Sequence, residues 1–286
     1  MQDRRWSLAH IAAAAAFAVL AAAPGRRCAL AQAPEAPIQD NSFLVEEAYN
    51  QEHGVVQTIF TYQRVLGSTG YSSSVTQEWP TPGVRHQISL TVPVQGVSAA
   101  TGVAQGLGDV ALNYRLQLVG DGGSSVALSP RITLLVPTGN AARSLGTGGL
   151  GAQINLPLSL ALSPALVTHT NLGATRVFAA RSADGARVRL TSWNAGQSVV
   201  WLVRPNFNVL LEGIVLSSEL LAEGGGTARS TEVWVSPGVR FAVNLPGNLQ
   251  IVPGVGIPIG VGPTRGRTGV FLYLSVELPF FGGKDR

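Results

Sequence analysis

Along most of this chain, apolar and polar residues take turns. From Val84 to Val92, Val84, Ile88, Leu90 and Val92 alternate with Arg85, Gln87, Ser89 and Thr91. From Asp109 to Leu118, Val110, Leu112, Tyr114, Leu116 and Leu118 alternate with Asp109, Ala111, Asn113, Arg115 and Gln117. From Ala152 to Leu162, Ile154, Leu156, Leu158, Leu160 and Leu162 share one face, opposite Gln153, Asn155 and Ser159. A period of two marks a strand with one apolar and one polar face. These runs match the roughly 9–11 residues of a tilted membrane strand, whereas soluble strands average about 5–6. The last run is the sharpest. Val270, Leu272, Leu274, Val276, Leu278 and Phe280 take every second position, with Phe271, Tyr273, Ser275 and Glu277 between them.

The connections between such runs fall into two kinds. Short, turn-rich links lie at Pro80–Gly83, Gly120–Ser125, Ser163–Pro164, Arg204–Asn206 and Pro246–Asn248. Longer polar or Gly-rich links lie near Gly67–Tyr71, Gln95–Gln105, Thr138–Gly149, Ala179–Val188, Ser217–Arg229 and Val261–Thr268. They alternate along the chain, as the short periplasmic turns and long outer loops of outer-membrane barrels do. The expectation is an all-β chain, a transmembrane antiparallel up-and-down β-barrel of about 12 strands with both ends in the periplasm. The first two strands are expected around Val55–Tyr62 and Ser73–Trp79. Trp79 and Trp201 at turn ends, and Trp193 at the opposite end of its strand, stand where aromatic girdles belong.

Composition agrees with a surface that does not face water. Charged residues make up 13% of the 286, against about 25% in an ordinary soluble protein. No internal stretch reaches the roughly 18 apolar residues of a spanning helix, which leaves a closed barrel as the other structure that satisfies its backbone in lipid. A soluble β-sandwich or lipocalin-like barrel is the competing reading.

The N-terminus points to export. Arg4 and Arg5 precede an apolar, Ala-rich run from Leu8 to Ala23, the form of a cleaved secretory signal peptide. Cleavage is expected after Ala31, with Ala33 as the alternative, and Arg27 before Cys28 speaks against a lipoprotein site. Loss of residues 1–31 removes the single Cys, four arginines and Asp3, so the pI near 9.7 is partly a signal-peptide property and implies no nucleic-acid partner. The expected organisation is a signal peptide at 1–31, a periplasmic N-terminal leader or plug at 32–54, the barrel at 55–281, and a C-terminal tail at 282–286. The leader is read first as a loose periplasmic tail. A plug threaded into the barrel mouth is the alternative.

Several stretches resemble the outer-membrane, transporter-like proteins of the meta-pathway phenol-degradation family. They are Asn41–Gln57 (NSFLVEEAYNQEHGVVQ), Gln77–Gln87 (QEWPTPGVRHQ), Gly106–Asp109 (GLGD), Pro130–Asn140 (PRITLLVPTGN), Val167–Gly173 (VTHTNLG), Trp201–Glu212, Ser236–Pro253 and the closing FLYLSVELPF. Together they run in order through nearly all of the mature chain. The resemblance implies a barrel and uptake of hydrocarbon or aromatic solutes, and it supplies no catalytic residues. An aromatic residue ending the final strand, here Phe280, likewise resembles the signal read by barrel-assembly machinery.

Candidate chemistry lies on the polar faces. Glu78, Arg85, Asp109, Asn113, Arg115, Gln117, Arg131, Gln153, Asn155, Glu212, Glu232, Arg240 and Glu277 sit opposite the apolar positions. A charge facing lipid at mid-depth costs about 2–4 kcal/mol, so these are the candidate pore lining, or an ion-pair network filling the barrel. Gly146-x-Gly148-x-x-Gly151 copies a dinucleotide fingerprint in letters, but the helix that motif requires is replaced by an alternating strand, and a mobile outer loop is expected. His53, His86 and His169 lack metal-ligand spacing, and no cofactor is expected. His169, two residues before Asn171, could serve a lipid-ester hydrolase if a Ser met it across strands. The leading expectation is a non-enzymatic channel for passive passage of small, hydrophobic or aromatic solutes, with outer-membrane lipids as its surroundings. The hydrolase and a plugged structural or adhesive barrel are the alternatives.

Overall fold

The computed structural model describes residues 38, 42–99, 102–182, 185–222 and 226–279. The signal peptide, its cleavage points, Phe280 and the C-terminal tail lie outside the described residues. Sixteen antiparallel segments form the sheet: β1 (Val55–Val65), β2 (Tyr71–Trp79), β3 (His86–Ala99), β4 (Gly102–Leu107), β5 (Val110–Leu116), β6 (Val126–Leu128), β7 (Arg131–Val136), β8 (Gly151–Ser163), β9 (Leu166–Arg181), β10 (Arg187–Arg204), β11 (Phe207–Leu221), β12 (Thr227–Phe241), β13 (Val243–Leu245), β14 (Leu249–Gly256), β15 (Ile259–Gly260) and β16 (Gly269–Pro279). Several are halves of one wall position. β4 and β5 both pair β3, and β6 and β7 both pair β8. The wall runs β16-β1-β2-β3-β5-β7-β8-β9-β10-β11-β12-β14, and β14 pairs with both β12 and β16. Twelve strand positions therefore close on themselves, leaving the circuit without a free edge.

The alternation decides which face meets lipid. Phe60, Ile88, Leu112, Ile132, Ile154, Leu172, Leu211, Val239 and Leu272 stand exposed on the outer surface, while Gln57, Gln87, Asn113, Asn155, Ser198 and Glu212 on the other parity are buried. Trp193 and Trp201 both point outward, more than half exposed. They lie eight residues apart on β10, ~26 Å along the strand and ~20 Å along the barrel axis at a tilt of ~40°, near the height of an apolar band. Tyr62 and Tyr71 stack outward with centroids 5.8 Å apart. At the turn end His86 Nδ1 meets Tyr114 Oη at 2.7 Å. Polar side chains on the lipid face bond to neighbours rather than standing alone. Thr58 Oγ1 donates to Gln77 Oε1 at 2.8 Å, and Thr170 Oγ1 to Gln197 Oε1 at 2.8 Å.

Some boundaries depart from the expected ones. The links expected at Gln95–Gln105, Ala179–Val188 and Ser217–Arg229 are largely strand, with pairing carried on to Ala99↔Gly102, Arg187↔Arg181 and Leu221↔Thr227. Gly, Ser and Ala make these ends look like loops in sequence. Above the lipid a strand needs no apolar face, so pairing continues without the alternation that signals it. The Thr138–Gly149 loop remains a loop but is held down: Asp109 accepts from Gly139 N at 3.0 Å and from Thr147 N and Oγ1 at 2.7 and 2.8 Å.

Candidate functional site

The barrel interior is occupied by the chain's own leader. Instead of hanging free as a tail, residues 42–51 run inside the wall, with Ser42, Phe43, Val45, Glu47, Ala48, Tyr49 and Gln51 buried. Ile38 packs on Ala242 and Val252 at the turn end, and Phe43 packs on Phe271 and Tyr273 further up. The chain then returns to the turn end, where β1 begins. An extended segment inside a barrel leaves its backbone N–H groups unpaired unless the wall supplies acceptors.

The polar parity supplies them. Glu212 Oε1 accepts from Leu44 N at 2.9 Å and Val45 N at 3.1 Å. Asn171 Oδ1 accepts from Glu46 N at 2.7 Å, and its Nδ2 donates to Glu46 O at 2.8 Å. Ser159 Oγ accepts from Ala48 N at 2.7 Å, Gln117 Oε1 from Asn50 N at 3.0 Å, and Gln87 Oε1 from Gln51 N at 2.9 Å. Carbonyls are met as well. Arg115 Nη1 donates to Glu47 O at 2.8 Å, while Gln117 Nε2 and Ser129 Oγ each donate to Ala48 O at 2.7 Å. Arg131 closes a two-point pair on the Glu46 carboxylate at 3.0 and 2.5 Å, the geometry that makes Arg–carboxylate contacts strong. Ser42 Oγ lies 2.8 Å from Ser198 Oγ.

Apolar packing fixes the upper bend. Phe43 stacks on Phe271 at 5.6 Å between centroids and lies 5.5 Å from Tyr273, with Ile59, Val200 and Leu210 completing the cluster. Its ring rests on a floor of three glycines. A Cβ on Gly238, Gly254 or Gly256 would come within 2.5, 2.6 or 3.1 Å of the ring, so only Gly allows this approach.

The sequence candidates divide into groups. Arg115, Gln117, Arg131 and Glu212 hold the leader directly. Asn113 and Gln153 hold Arg131 by accepting from it at 2.6 and 2.9 Å. Glu78 lies 3.6 Å from Arg115 and accepts from Gln87 at 2.7 Å, and Asn155 donates to Asn171 at 3.4 Å. Arg240 is buried, its Nε 3.2 Å from the Asn208 amide, and Glu277 accepts from Gln57 at 3.2 Å. Glu232 stands near the outer mouth, accepting from Arg267 at 2.9 Å and from Trp234 Nε1 at 3.1 Å. Two candidates lie off the inner wall. Arg85 is exposed in the turn before β3, because the strand starts at His86 rather than Val84. Asp109 sits in the break between β4 and β5, where it anchors the outer loop. Sequence reading missed Gln57, Gln87, Ser129, Ser159, Asn171 and Ser198 as site residues. Most share the polar parity of the charged candidates, which was the available signal.

Two cavities flank the leader. One, of about 260 Å³, lies among Phe43, Leu44, Ile59, Tyr273 and the polar side chains of Glu78, Gln87, Arg115 and Arg131. The other, of about 310 Å³, lies between Leu44 and Glu46 and the wall at Gln153, Asn171, Asn194 and Ile214. Leu44, Glu46 and Arg131 border both.

A serine does meet His169. Ser159 Oγ is 2.7 Å from His169 Nδ1. Both are buried, the same Oγ accepts from Ala48 N, and Asn171 is engaged with the leader rather than the imidazole. Ser159 is thus a leader contact as well as the partner of His169.

No family model matches the chain, and no curated protein matches it. Solved structures do. An outer membrane channel from Pseudomonas putida F1 superposes with a TM-score of 0.64 at 14% identity, over 81% of this chain and 97% of that one. The NanC porin superposes with a TM-score of 0.51 at 10% identity, over 78% of this chain and 98% of that one. At such identities the likeness concerns the fold: this chain is built as an outer-membrane β-barrel of twelve antiparallel strand positions.

Proposed function

We propose that the protein is an outer-membrane channel for small solutes, passed by diffusion, and that its own leader sets the width of the path. The observation that supports this is the pair of cavities separated by residues Leu44–Glu46. A barrel of this size is packed on its wall side by the leader yet keeps room on both flanks. The cavity beside Phe43 joins aromatic and aliphatic walls to carboxylate, amide and guanidinium groups. That mixture suits a small solute with an apolar ring and a polar edge, in keeping with the hydrocarbon or aromatic uptake implied by the sequence resemblance. Selectivity then comes from constriction and lining chemistry.

The test is single-channel recording on the purified mature chain in planar bilayers, beside a variant lacking residues 42–51. The proposal expects small steps from the intact protein, larger ones from the shortened one, and faster entry of small phenolic solutes into liposomes carrying either. Silence from both would favour the plugged structural barrel, and serine-dependent ester hydrolysis would favour the hydrolase.

A further inference from the structure

On the outer surface, arginines gather at one place. Arg187, Arg189 and Thr191 alternate upward from Trp193 on β10, sharing its outward face. Val188 and Leu190, between them, pack inward with Val177 and Ala180. Opposite on β9, Arg181 pairs with Arg187 and Arg176 with Thr191, and Arg176 donates to the Thr191 hydroxyl. Arg176, Arg181, Arg187 and Arg189 thus lie on the outward face of one hairpin, all exposed. Arg229 extends the patch and pairs with Glu219 at 3.0 Å. Among the described residues no carboxylate pairs with Arg176, Arg181, Arg187 or Arg189.

Two like charges directly across a strand pair destabilise it, and here Arg181 and Arg187 stand in that relation. An anion between them would remove the repulsion. Depth indicates which anion. At ~3.3 Å per residue and ~40° of tilt, these arginines stand ~5 to ~15 Å above Trp193. With the long loops facing outward, that is the headgroup layer of the outer leaflet, and the face points toward lipid rather than into the lumen.

We infer that this patch binds the phosphorylated sugar headgroup of the outer-leaflet glycolipid, lipid A, with Arg181, Arg187 and Arg189 gripping phosphate oxygens through paired N–H donors. The inference rests on the barrel's orientation in the outer membrane and not on conductance.

Native mass spectrometry of the mature protein in detergent tests it, with bis-phosphoryl lipid A as the probe. Dephosphorylated lipid A and inorganic pyrophosphate provide the comparison arms. Replacing all four (R176Q, R181Q, R187Q, R189Q) should weaken lipid A retention at least about tenfold, whereas R64Q, on β1, should leave it unchanged. Heat-dependent gel migration checks that the variant barrel is folded. If it is not, the wild-type protein still decides, since its preference for the phosphorylated lipid must fall as salt rises. Equal retention of dephosphorylated lipid A would overturn the proposal, as would full displacement of lipid A by pyrophosphate, which would make this a site for soluble anions.

Discussion

Replacing Glu212 by Ala should free the bend of the leader while leaving the barrel closed. Glu212 Oε1 accepts both Leu44 N and Val45 N, at 2.9 and 3.1 Å, and the side chain is 1% exposed. Leaving a buried donor without its acceptor costs about 1–3 kcal/mol, so two of them set a range of about 2–6 kcal/mol. The lower half of that range is the better expectation, because Glu212 Oε2 is buried without a partner among the described residues and its burial already costs free energy in the docked state. About 3 kcal/mol corresponds to roughly a hundredfold rise in the opened fraction. Hydrogen–deuterium exchange of the detergent-folded protein reads this directly. Amides 44–48 should exchange roughly a hundredfold faster in Glu212→Ala, and less than tenfold faster in Glu212→Gln, which keeps one acceptor oxygen. Strand amides of β8 and β9 should not change. Exchange at 44–48 within a factor of about three of wild type would show that Glu212 does not hold the bend, since losing two hydrogen bonds in a buried site cannot cost so little.

Three further outcomes follow from the same contacts. Gly254→Val should push Phe43 off its floor, given the 2.6 Å approach of a Cβ to the ring, and should raise conductance as leader truncation does; unchanged traces would show that the ring is not held there. Arg131→Ala removes the two-point pair with Glu46 and the bonds to Asn113 and Gln153. It should cost about 1–3 kcal/mol and lower the temperature at which the barrel shifts its gel migration. Ser159→Ala should leave any ester hydrolysis at the wild-type background level while loosening Ala48; loss of a wild-type esterase activity would revive the hydrolase reading.

Much of the wall could be read from the sequence, because a lipid-facing strand writes its geometry into every second residue. Ile154, Leu156 and Leu172 face out, and Asn155, Ser159 and Asn171 face in. The leader's docking left no such trace. The acceptors of its N–H groups are scattered over five strands or their ends, and Glu212 is 168 residues from Leu44, so no local pattern links them. The interior is also less polar than parity suggested: Ile59, Val200, Leu210, Phe271 and Tyr273 turn inward to meet Phe43. That apolar patch is intelligible only once the leader is in place. Arg85 and Asp109 show the complementary error, in which alternation was carried past a strand end into a turn or a break.

Residues 42–51 occupy the lumen, and in the proposed function they narrow the path. Ser42 and Ser198 stand with their oxygens 2.8 Å apart, which makes them the positions to test for a disulfide tying the leader to the wall, and cleavage after Ala31 would leave the mature chain without a cysteine of its own. In the S42C/S198C double variant, single-channel conductance should be low and steady when oxidised, and should rise or flicker when reductant frees the leader. Identical conductance in both states, with the disulfide verified by mass, would contradict that narrowing.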